Sequence, residues 1–143
     1  MLGKVVALHL KPEAGILLPV DELSAVAGRG FLGDRCLDKP ESQALLISTE
    51  SLSRLGYDPG ELREQITVEL AVLRDLLPGA SLQIGTVTLT ITKDCTPCTR
   101  MAGRLGEDPA SFKSKTEGDR GKLARVESSG TIRIGDSVQV IHG

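Results

Sequence analysis

A mainly β fold, a barrel or sandwich with a few short helices, is what this sequence predicts, and three observations carry the prediction. Thr86-Val87-Thr88-Leu89-Thr90-Ile91-Thr92 alternates β-branched polar with apolar residues, the period of a half-buried strand. Leu82-Gln83-Ile84 precedes it across Gly85-Thr86 and is placed to pair with it. The C-terminal segment repeats this arrangement: Leu123–Val126, Thr131–Ile134 and Ser137–Val140 are separated by Ser128-Ser129-Gly130 and Gly135-Asp136. Short strands at close spacing, punctuated by glycine turns, favour a barrel or sandwich over repeated βαβ units.

The remaining elements follow in order. Lys4–Leu10 reads as a strand that Pro12 stops. After a mixed stretch, Gly28-Arg29-Gly30-Phe31-Leu32-Gly33-Asp34-Arg35 reads as a glycine-punctuated loop. Ala44–Ile47 is a short buried strand running into a helix capped by Ser48 or Thr49, with Glu50 in the first turn and Gly56 as its stop. Ile66–Leu70 is a further strand, and Pro78-Gly79 a turn. Helices are expected over 49–55, 99–105 and 109–115. No linker or low-complexity tract divides the chain, so residues 1–143 are expected to form one domain.

Composition narrows the function classes. Seventeen Lys and Arg stand against 19 Asp and Glu, which argues against a broad nucleic-acid or anionic-membrane surface but leaves room for a local basic pocket. Phe31, Tyr57 and Phe112 are the sole aromatic residues, too few for a base-stacking platform. No charged-then-apolar leader and no bilayer-length apolar run is seen, so a cytoplasmic location without membrane contact is expected. Three cysteines, an odd number, suit a reducing compartment where thiols stay available for burial, metal ligation or reaction.

Cys95-Thr96-Pro97-Cys98 is the segment richest in chemistry. The alternating strand ends at Thr92, and Pro97 forces the chain out of the sheet. Thr99–Leu105 reads as two turns of helix with Gly106 as stop, which puts Cys98 at or beside a helix start. Unpaired amides there favour a thiolate, and Arg100 and Arg104, one turn apart, would add positive potential if their face turns inward. A structural zinc site wants four ligands, and beyond this pair there remain Cys36, His9 and His142, so no structural zinc is expected. A thioredoxin-type redox pair lacks its βαβ context. Cys36, in Arg35-Cys36-Leu37, reads as a small buried hydrophobe.

Other groups could share the site. Gly33-Asp34-Arg35 lies where backbone can approach an anion, although taken by itself the segment reads first as an ordinary turn. Arg63-Glu64-Gln65 sets an arginine fork and a carboxamide at a strand mouth, suited to phosphate and heterocycle edges, and a solvated charged turn explains it equally. Asp119-Arg120-Gly121-Lys122 reads as a mobile, exposed loop, with anion contact as the lesser alternative. His9 and His142 have no evident carboxylate or cysteine neighbour and receive no role.

Taken in order, these pieces resemble the MOSC domain, named for the C-terminal domain of molybdenum-cofactor sulfurases. The carriers are Gly33-Asp34-Arg35, Leu45–Ser48 with Glu50, Leu62–Val68, Leu77–Ala80 with Leu82–Gly85, Cys95–Cys98, and Ala124–Val126 with Gly130–Asp136. The resemblance implies a closed or partly open β-barrel of the pyruvate-kinase type with a few short peripheral helices. It also implies a functional cysteine at Cys98, with Cys95 as a possible helper. In the family this cysteine either ligates molybdenum in the pterin cofactor, where N-oxygenated compounds are reduced, or carries sulfur from a pyridoxal-phosphate cysteine desulfurase. Gly33, Asp34, Arg35, Arg63 and Gln65 fall where cofactor contact is expected. The chain departs from the pattern at two of these places: many members have Asn at Gln65, and many small bacterial ones have His at Cys36.

Three functions are therefore open: molybdenum-cofactor binding, persulfide carriage, and a non-catalytic interaction barrel. A small-molecule substrate and a desulfurase or molybdoenzyme partner go with the first two, pyridoxal phosphate entering through the partner alone. The N-terminal β-barrel domain that accompanies MOSC in cofactor-binding reductases is not expected here, and a homodimer could complete the pocket.

Overall fold

The computed structural model describes residues 2–96 and 99–143, with the backbone alone for Thr99. Its architecture turns on the first strand. β1 (Leu2–Leu10) pairs along one edge with β6 (Ile66–Glu69). Along the other edge it pairs with β11 (Ser137–His142) through Leu2–Lys4 and with β2 (Leu18–Val20) through Leu8–Leu10. Going round from β1, the order is β6, β5 (Ala44–Ser48), β9 (Lys122–Val126), β8 (Val87–Asp94), β7 (Ser81–Ile84), β11 and back to β1. The ring is a closed barrel of seven strands. A small second sheet joins β3 (Glu22–Val26) to β4 (Gly30–Phe31) and β10 (Gly130–Arg133). The mainly β fold expected from strand spacing is observed, and it is closed as the barrel that the resemblance implies.

Side-chain alternation sorts each strand between the barrel core and its outside. On β8, Val87, Leu89 and Ile91 are buried, whereas Thr88, Thr90 and Thr92 are partly exposed. The core gathers these with Val5, Leu46, Ile66, Val68, Leu82 and Val126. β5 differs because all five of its residues are buried. Its outer face is covered by a second cluster in which Ile47 meets Leu52, Leu55, Leu62, Met101, Ala102 and Phe112. These come from α1 (Thr49–Leu55), α2 (Thr99–Arg104), α3 (Pro109–Thr116) and the segment before β6.

The expected helix ends are present. Ser48 Oγ caps α1 by accepting from the Ser51 amide at 3.0 Å, and Gly56 ends it in the left-handed region. Four features differ from the sequence reading. The mixed stretch and the glycine loop contain β2, β3 and the two-residue β4, and a 3-10 helix spans Ala71–Asp75. β5 and β6 are parallel, so the chain makes one βαβ-like crossover through α1, as parallel neighbours require. The C-terminal strands do not repeat the β7–β8 hairpin, since β9 pairs with β5 and β8, and β10 leaves for β3. Side chains of the intervening turn fix this: Ser128 Oγ accepts from the Thr88 amide at 2.8 Å, and Ser129 Oγ from the Ala27 amide at 2.9 Å.

The fourth difference concerns residues 119–122, expected as an exposed loop. Asp119, Arg120 and Lys122 are each less than 10% exposed. Asp119 is drawn to Ser51 and Arg54, and Lys122 pairs with Asp94. Gly121 lies against β5 so closely that a Cβ on it would stand 2.6 Å from the Leu46 carbonyl oxygen. Among the described residues, no helix is long and apolar enough to cross a membrane.

Candidate functional site

A cavity of about 250 Å³ lies against the outer face of β5 and β9. Ala44, Leu46, Ala124 and Val126 point into the barrel, so the alternate residues Leu45 and Leu123 form the cavity floor with Leu62 and Met101. Its walls are cationic. Lys11 follows β1, Arg35 and Lys39 come from the loop after β4, and Arg63 precedes β6. Arg100 and Arg104 enter from α2, and Arg120 from just before β9. Among the described residues no carboxylate lines this space, although the whole chain carries a formal charge of −2.

Asp34 sits behind the wall and holds it in shape. Its Oδ1 accepts from the Lys11 amide at 2.8 Å and its Oδ2 from the Cys36 amide at 2.9 Å. The Arg35 amide in turn donates to the Lys11 carbonyl at 2.7 Å. One buried carboxylate thus fastens two lining residues to the end of β1. Gly33 supplies the turn with φ +80°, a conformation glycine adopts at no steric cost. Neither Gly33 nor Asp34 lines the cavity, whereas Arg35 does.

Gln65 is fully buried, and its carboxamide is occupied at both ends. Oε1 accepts from the Leu45 amide at 2.9 Å, and Nε2 donates to Asp34 Oδ2 at 3.2 Å and to the Gln43 carbonyl at 3.4 Å. It closes the gap between β5 and the Asp34 turn and stands directly behind the cavity wall. Arg63 adopts φ +62°, which is uncommon away from glycine, and donates from Nη2 to the Ile16 carbonyl at 3.3 Å. Burial lowers its pKa, as do Arg104 and Arg35 beside it, against the pull of Cys36 and Asp34. Lys11 is lowered too, first by burial and then by Arg63 and Lys39, with Cys36 and Asp34 opposing. Cations this close repel, and the repulsion is relieved when an anion enters.

The thiols need separate treatment. Cys36, read from sequence as a buried hydrophobe, is 7% exposed and still forms part of the cavity wall near Lys11 and Arg63. Cys95 is half-buried on the same cavity, its amide donating to the Gly121 carbonyl at 2.9 Å. Cys98, expected as the functional thiol and metal ligand, lies outside the described residues. The structure therefore brings Cys95, Arg35, Arg63 and Gln65 to one cavity, with Asp34 and Gly33 supporting it.

Sequence reasoning missed Lys11, Lys39 and the inward turn of Arg120. The first two sit in segments with no motif, and nothing local shows that the loop after β4 folds back on β1. Arg100 and Arg104, whose contribution depends on their shared face turning inward, both line the cavity. His9 corrects another expectation, because it does have a carboxylate neighbour: the charge of buried Glu64 raises its pKa, though burial lowers it more.

A family model described as MOSC domain matches residues 33–139. The fold is similar to that of the YuaD protein from Bacillus subtilis, with 18% identity, a TM-score of 0.83, and coverage of 96% of this chain and 94% of that one. YiiM from Geobacillus stearothermophilus aligns at 16% identity and a TM-score of 0.75, over 97% of this chain and 75% of its own. YiiM from Escherichia coli aligns at 15% identity and a TM-score of 0.71, over 98% and 70% respectively. None of the curated proteins matches the sequence.

Proposed function

The chain belongs to the MOSC domain family, and from that premise we propose that its cationic cavity binds the molybdenum cofactor. The single observation carrying this reading is the charge of the cavity: seven Lys and Arg line it and, among the described residues, no Asp or Glu. The cofactor's pterin ends in a phosphate, and arginine forks suit phosphate oxygens. Arg63 and Arg35 would hold that phosphate, with the Gly33-Asp34 turn fixing Arg35. Gln65 would border the pterin while bracing Asp34. A thiolate is a soft ligand suited to molybdenum, and in this reading Cys98 would be that ligand with Cys95 as its helper. When bound, the cofactor would supply two-electron redox chemistry, of the kind that reduces N-oxygenated compounds.

The chain's own part is then binding and orientation. Leu45, Leu62, Met101 and Leu123 exclude water from beneath the ligand and strengthen each charge contact above them. Asp34 keeps Lys11 and Cys36 at fixed places on the wall.

A second reading, persulfide carriage, draws on Cys95, which lines the cavity three positions before Cys98 and would resolve a persulfide there as a disulfide with release of hydrosulfide. Here the Cys98 thiolate would attack the terminal sulfur of a desulfurase persulfide, forming an S–S bond and releasing the desulfurase thiolate. Elemental analysis for molybdenum and zinc, with intact-mass measurement, on protein from a cofactor-competent host separates the two. Stoichiometric molybdenum lost in Cys98→Ala is expected for cofactor binding. An adduct of about +32 Da on Cys98 without molybdenum would replace it with sulfur carriage. Tightly bound zinc would sink both.

A further inference from the structure

Arg120 is unlike the other cations of the cavity. It is 5% exposed, and its Nε and Nη1 are buried without a hydrogen-bond partner among the described residues. A guanidinium stays charged at any physiological pH, so burial cannot be relieved by losing a proton. A buried charge without a partner is costly, and folded proteins rarely retain one unless its counter-charge arrives from elsewhere. The chain nonetheless commits Arg120 to this position. Gly121 beside it has φ +108° and packs directly on the Leu46 carbonyl, and its own carbonyl accepts from Cys95. Two backbone contacts therefore fix the residue next to it.

Its place in the sheet separates it from Arg63. β9 and β6 flank β5 on opposite sides, Arg120 precedes β9, and Arg63 precedes β6. Adjacent strands lie about 5 Å apart, so the two arginines enter the cavity roughly two strand spacings from each other. Their side chains therefore approach the cavity from opposite flanks of β5.

We propose that Arg120 anchors a second oxyanion subsite, at the β9 side of the cavity, which takes a phosphate or another tetrahedral oxyanion. A planar fork of N–H donors matches two oxygens of such a group, and the hydrogen bonds are charge-assisted. The subsite needs no metal and no pterin, so it stands or fails separately from the cofactor reading.

The test uses the full chain without metal loading, titrated calorimetrically with inorganic phosphate at constant ionic strength. Two phosphates per chain are expected. Arg120→Met should remove or weaken one of them about tenfold or more, and Arg63→Met the other. Arg120→Met should also melt higher than the parent without phosphate, because a charge buried without a partner among the described residues is gone, and should lose part of the phosphate-induced rise in Tm. Unchanged phosphate stoichiometry and affinity in Arg120→Met would overturn the proposal. So would a lower Tm with the phosphate response intact, which is the signature of a merely structural arginine. Adenosine monophosphate as a second probe identifies the source: equal or tighter binding at the Arg120 site means the phosphoryl end of a larger molecule, and weaker binding a free oxyanion.

Discussion

Asp119 and Arg120 are consecutive, both buried, and both charged, yet the fold treats them in opposite ways. Asp119 turns toward α1, where its Oδ1 accepts from Ser51 Oγ at 2.7 Å and from Arg54 Nη2 at 2.7 Å, with Arg74 Nε at 3.6 Å. Burial would raise the pKa of its carboxyl, but the bonds from Arg54 and Ser51 outweigh that and hold it below the usual range. Arg120 turns toward the cavity with two of its guanidinium nitrogens unpartnered among the described residues. A charge with partners inside the chain fastens two elements, here α1 and the β9 approach. A charge with no partner among the described residues is placed to take one from a ligand.

The largest effect should come from the residue that holds both in place. Gly121→Ala would put a Cβ 2.6 Å from the Leu46 carbonyl oxygen, at a φ of +108° that side chains rarely adopt. The loss should be about 3 kcal/mol, combining backbone strain with overpacking. Urea unfolding measures it, and a loss below about 1 kcal/mol would mean that the strand approach is softer than it looks.

Asp119→Ala comes next. It removes the buried bond to Ser51 and leaves that hydroxyl to Arg54 alone, for a loss of about 2 kcal/mol. The Arg54 contribution is discounted because its side chain is 46% exposed. Phosphate affinity should stay where it was. If Asp119→Ala weakened phosphate binding as much as Arg120→Met, the two halves of this loop would not be separable, and the contrast between them would collapse.

Much of the barrel was legible in sequence because strands announce themselves locally. The threonine alternation of β8 and the caps at Ser48 and Gly56 are properties of neighbours in sequence. The site was harder. Cys95, Arg35, Arg63 and Gln65 could be named from a family pattern, but the pattern does not distinguish a side chain that meets a ligand from one that braces the wall, which is what the Gln65 carboxamide does. Residues 119–122 were misread for a related reason. Asp-Arg-Gly-Lys has the composition of an exposed loop, and its burial depends on Ser51, Arg54 and Asp94, all distant in sequence. Polar composition predicts exposure only when no partner is waiting, and partners are set by topology.

The smallest effect lies away from the cavity and asks how an unpartnered buried atom behaves when it can lose its charge. His9 is 9% exposed, with Nδ1 unpartnered among the described residues, and its ring lies against Gly60. Glu64 is fully buried nearby, its Oε2 accepting from the Gly60 amide at 2.9 Å and from Thr67 Oγ1 at 2.8 Å. Burial pushes His9 below its ordinary 6.5, and the Glu64 charge recovers part of the shift. The unfolded chain therefore binds more protons than the folded one between the folded pKa and 6.5, and stability rises with pH across that window. It is fully present above about pH 6.5 and falls as the pH drops, levelling off below the folded value. Asp119 follows with its own decline below its ordinary 3.8, so the two are separable. Chemical unfolding from pH 7.5 to 5 should show the first decline in the parent and a flatter profile in His9→Gln. An equal slope in both would assign the decline to another group. Unlike Arg120, His9 can be neutral at pH 7, so its unpartnered nitrogen calls for no counter-ion and points to no ligand.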